Sequence, residues 1–82
     1  MNRVGAEITV RYWAGAQRAA NTAEETLSAA TIADLRALLA ARVGFDRLAG
    51  VVSFLVDGQH AGDALPLHDG AVVDVLPPFA GG

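Results

Sequence analysis

Only one segment of this 82-residue chain carries a helical stripe: TIADLRALLAARVG, residues 31–44. Ile32, Leu35, Leu39 and Val43 recur at i, i+3, i+7 and i+11, which lines one face of a helix, and Leu38 widens that face. Thr31 is an N-cap residue, Asp34 three positions on approaches a capping box, and Gly44 is a natural stop. Phe45 and Leu48 are placed to pack just beyond the helix end. A single amphipathic helix cannot bury its own stripe. It requires a sheet to lie on.

The rest of the sequence supplies that sheet. EITVRYW (residues 7–13) alternates, with Ile8, Val10 and Tyr12 on one side and Thr9, Arg11 and Trp13 on the other. AGAQRAANTAE reads as a connection, and ETLSA (25–29) as a short second strand. VVSFLVDG (51–58) is a strong strand closed by an Asp57-Gly58 turn. A short edge strand fits near 59–61. AVVDVLPP (71–78) is the last strand, with Val73 and Val75 facing the core against Val72, Asp74 and Leu76. Its prolines stop it, because neither can donate to a ladder. The order is β-β-α-β-(β)-β, an α+β chain of one domain. We place the body at 1–76 and an extended tail at 77–82.

Composition narrows the function. There is no cysteine, hence no disulfide, no thiolate nucleophile and no cysteine-held metal. The six basic residues are scattered arginines in a chain of net charge −3, which argues against a nucleic-acid partner. No apolar run approaches the ~20 residues of a membrane span, and the first residues do not form a signal peptide, so a cytoplasmic protein is expected. His60 and His68 have no third ligand at metal spacing and read as solvated turn residues. Glu24 and Glu25 read as a solvated pair. No Ser/His/Asp set, phosphate loop or dinucleotide fingerprint is present.

What remains is the ending LPPFAGG. Gly82 carries the one activatable group of the tail, its α-carboxylate. Gly81 and Gly82 lack Cβ, so a narrow channel can admit their backbone. Pro77 and Pro78 favour an extended exit and reduce the entropy lost on threading. At about 3.1–3.3 Å per residue, Pro77–Gly82 reaches on the order of 20 Å. Phe79 is an apolar aromatic suited to anchoring in a partner groove. Leu55 and Leu76 alternate away from the core and, with Trp13, can form a partner-binding patch.

Strand order and tail together resemble the ubiquitin-like β-grasp fold, a mixed four- to five-stranded sheet covered on one face by one main helix. VRYWAGAQRAAN, TIADLRALLAAR and above all LPLHDGAVVDVLPPFAGG are similar to the MoaD-type small, sulfur-carrier subunit of molybdopterin synthase, in the MoaD/ThiS superfamily. Trp13 stands where phenylalanine is usual, and Ala71 where a polar residue usually follows the Asp-Gly turn.

The resemblance implies a protein co-substrate that is itself non-catalytic within a sulfurtransferase complex. An E1-like adenylating enzyme would use ATP on Gly82, and a sulfur donor protein would displace AMP to leave a thiocarboxylate. The tail, Pro77, Pro78, Phe79, Ala80 and Gly81, would then enter the large subunit of molybdopterin synthase. There a cyclic pyranopterin would take the sulfur, giving molybdopterin. No cofactor would be bound by this chain, and neither nucleic acid nor membrane is implied. A carrier for thiazole, cysteine or tRNA thiolation, or a ubiquitin-like modifier or interaction module, stays open as an alternative.

Overall fold

A computed structural model describes residues 5–78. The elements in chain order are β1 (Ala6–Tyr12), α1 (Gly15–Ala20), β2 (Glu24–Ala29), α2 (Ile32–Ala40), β3 (Ser53–Val56), β4 (Gln59–Ala61) and β5 (Val72–Leu76). The five strands form one mixed sheet in the order β2-β1-β5-β3-β4. β1 runs parallel to β5, while β1–β2, β3–β5 and β3–β4 are antiparallel. This is the β-grasp arrangement.

The alternation in β1 buries Ala6, Ile8, Val10 and Tyr12 on the helix side. Val73 and Val75 of β5 and Phe54 of β3 join them, and Ile32, Leu35 and Leu39 of α2 close the layer. Each buried Val, Leu, Ile or Phe among them contributes about 1.5–3 kcal/mol relative to exposure. Thr31 caps α2 as its spacing predicts, its hydroxyl accepting from the Asp34 amide at 3.2 Å. The next free amides of the helix, Ile32 and Ala33, donate to the carbonyls of Leu65 and Asp63.

Three expectations need correcting. The helix stops at Ala40, short of Gly44, and Val43 is almost wholly exposed. The chain leaves the helical path at Ala41, so the i+11 position never reaches the stripe. Gly44, at φ +93°, turns the backbone and delivers Phe45 into the core instead. The stretch after Trp13 is not a plain connection but holds α1. Its one buried residue is Ala16, too small to leave a periodic apolar signal. Glu25 is not a solvated partner of Glu24. It faces the helix side, where its carboxylate accepts from the Tyr12 hydroxyl and pairs with Arg42, each at 2.5 Å.

Candidate functional site

In-register partners share a face of a sheet, so the pairing places five residues in one row across the open side. The row is Glu24, Arg11, Asp74, Leu55 and His60. Leu76, opposite Ser53, lies one rung further along. Trp13 follows the end of β1, its backbone N–H donating to the Val75 carbonyl at 3.2 Å. Trp13, Leu55 and Leu76 therefore do share a surface, as their alternation predicts. Trp13 is 46% exposed, whereas the two leucines are half-buried, so the patch is shallow and its largest exposed element is the indole.

At the centre of that surface lies a group the sequence reading did not single out. Asp74 is 6% exposed, although it faces away from the core. Arg11 covers it with a two-pronged ion pair, Nε to Oδ1 at 2.7 Å and Nη2 to Oδ2 at 3.0 Å. The Trp13 indole N–H donates to Oδ1 at 2.9 Å. The guanidinium also lies 5.8 Å from the indole centroid. Hydrogen bonding to Arg11 holds the Asp74 carboxyl below its ordinary range, against the opposing effect of burial and with help from Trp13. Asp74 and Arg11 are polar residues of matching parity in two strands that become neighbours. That signal is legible only once β1 and β5 are known to pair.

The root of the tail is fixed from both sides. β5 is flanked by β1 and β3, Leu76 is its last paired residue, Pro77 is buried and Pro78 is exposed. Phe79, Ala80, Gly81 and Gly82 lie outside the described residues.

Among the described residues there is no group of three or more His, Asp or Glu side chains that could hold a metal ion. His60 belongs to β4. His68 is exposed and its Nε2 lies 2.9 Å from Asp57 Oδ2. Asp57 Oδ1 also accepts the Val72 amide. The Asp57-Gly58 turn has positive φ at both residues, the hairpin geometry its sequence predicts. No helix among the described residues is long and apolar enough to cross a membrane.

The sequence pattern of the ThiS family matches residues 10–82. The chain belongs to the ThiS family. Within the MoaD/ThiS superfamily, its fold aligns with three informative solved structures. A Pyrococcus furiosus chain assigned as molybdopterin converting factor subunit 1 is 24% identical, with 92% of this chain and 100% of that chain covered, at TM-score 0.78. Small archaeal modifier protein 1 of Methanosarcina acetivorans is also 24% identical, with 94% and 97% covered, at 0.76. The complex of subunits 1 and 2 of molybdopterin converting factor from Helicobacter pylori contains a chain 26% identical, with 93% and 99% covered, at 0.72. No curated protein sequence matches the chain.

Proposed function

We propose that this ThiS-family chain is the sulfur-carrying small subunit of a molybdopterin synthase. The observation that carries this reading is the root of the tail. The strand before it is held between two neighbours, and the buried Pro77 is followed by the sequence Pro-Phe-Ala-Gly-Gly. A rigid base with a Cβ-free end suits delivery of one carboxylate into a partner's active site. The likeness to subunit 1 in the Helicobacter pylori complex supports a large-subunit partner.

In this reading the Gly82 carboxylate attacks ATP on an E1-like enzyme, forming an acyl adenylate and releasing pyrophosphate. A sulfide-level sulfur delivered by a donor protein attacks the acyl carbon, AMP leaves, and a thiocarboxylate remains. In the large subunit, the thiocarboxylate sulfur bonds to a carbon of the pyranopterin, and water then cleaves the acyl–sulfur bond and returns the free carboxylate. This chain supplies the carrier and the docking surface, with Phe79 as anchor and Trp13, Leu55 and Leu76 as the partner-binding patch. ATP serves the partner, and the chain itself binds no cofactor.

The likeness to small archaeal modifier protein 1 favours a second reading, a modifier joined to other proteins through Gly82. The chain is incubated with an adenylating enzyme, ATP and a sulfur donor, then followed by intact-protein mass spectrometry. Exchange of one carboxyl oxygen for sulfur, reversed by large subunit and pyranopterin, is the carrier's result. Amide adducts alone, with no alkylatable intermediate, would replace it with the modifier.

A further inference from the structure

We propose that Asp74 is a positioning residue that presents Trp13 to the large subunit as a fixed, purely apolar face. This rests on the carrier reading above and assigns the part of its surface that sets the fit.

A carboxylate on the open side of a sheet normally remains in water, because desolvating it is costly. Asp74 is instead covered, and the groups covering it are Arg11 and Trp13, both on its own side of the sheet. Its buried oxygens receive three donors, two from Arg11 and one from the indole of Trp13. Trp13 is therefore held at two points, its backbone N–H on the Val75 carbonyl and its ring N–H on Asp74.

The consequence is chemical as well as geometric. The only polar atom of the ring is already engaged, so the exposed part of Trp13 offers carbon alone. Arg11 stacks near it, 45% exposed, with Nη1 not used in the ion pair. The surface fits a partner groove that is apolar over the indole and offers a carboxylate or carbonyl oxygen to Arg11. Fixing the ring before contact removes part of the ordering cost of association.

Trp13 is the chain's one tryptophan, so its emission reports directly on the contact. Steady-state anisotropy and emission are measured for the unmodified chain, Asp74→Ala and Asp74→Asn, along with affinity for the large subunit. Asp74→Ala should lower the anisotropy and weaken binding about tenfold, the scale of a displaced aromatic anchor. Asp74→Asn keeps an acceptor oxygen for the indole and should restore both within about twofold, a margin of a few tenths of a kcal/mol. In the Trp13→Phe background, Asp74→Ala should cost little further affinity, because both changes act through one ring.

Unchanged anisotropy in Asp74→Ala overturns the proposal, as does lowered anisotropy with unchanged affinity. Should Asp74→Ala fail to fold, Asp74→Leu fills the site and carries the same comparison. If the unmodified chain does not bind the large subunit, the carrier reading fails and the docking role falls with it. If it binds and Asp74→Ala binds equally well, the positioning role alone is lost.

Discussion

Ser53 of β3 lies directly opposite Leu76 of β5, and this is the last rung before the tail. Neither Pro77 nor Pro78, the described residues after it, belongs to the sheet ladder, and of the two only Pro77 is buried. Removing Gly82 should therefore abolish sulfur loading while leaving the melting temperature unchanged. Mass spectrometry after incubation with adenylating enzyme, ATP and sulfur donor checks the first, and thermal unfolding the second. A truncated chain that still supports molybdopterin formation would refute the role of Gly82.

Phe79→Ala should weaken large-subunit binding by about 1–2 kcal/mol or more, as loss of an interface anchor does. Stability should stay within about 0.5 kcal/mol, the range of a substitution outside the core. Titration calorimetry and denaturant unfolding separate the two. A core-like loss of about 3–5 kcal/mol in the free chain would mean the ring packs on the body.

Much of this architecture was legible in the sequence, and the failures have physical causes. The period-2 pattern of Ile8, Val10 and Tyr12, the cap at Thr31 and the Asp57-Gly58 turn are local signals, and each holds. The end of α2 is not legible, because Val43 keeps the helical period although the chain has already turned away. α1 leaves no signal, because a single alanine anchors it. The roles of Glu25 and Asp74 do not show in their sequence neighbours, because their partners lie 17 and 63 positions away. Such long-range ion pairs leave no periodic trace.

The Glu25 network makes stability depend on acid. Its hydrogen bond from Arg42 lowers the Glu25 carboxyl below its ordinary value near 4.5, with burial opposing and Tyr12 assisting. A depressed folded-state value means that the contribution is complete above about 4.5 and fades as pH falls through the lowered value. Glu25→Gln should cost about 1–3 kcal/mol at neutral pH, the scale of a hydrogen bond to a charged group. It should also flatten the acid limb of the stability profile. Urea melts at several pH values test this, and an unchanged acid limb would contradict it.

Gly5 precedes β1 at φ +86°, and a Cβ there would lie 2.5 Å from the Ala29 carbonyl carbon. Backbone on that side cannot yield as a side chain would. Gly5→Ala should therefore destabilise by more than about 1 kcal/mol, since both conformation and space are unfavourable. Comparison of chemical unfolding midpoints provides the check.

The position of β5 has a consequence for how the sheet assembles. β1–β2 and β3–β4 are two separate antiparallel pairs, and neither touches the other through a strand ladder. β5 follows both and is the strand that zips them together. Isolated hairpins are at best marginal in water. Without β5 the two hairpins share no ladder, so the sheet closes only when the strand that leads into the tail takes its place between them.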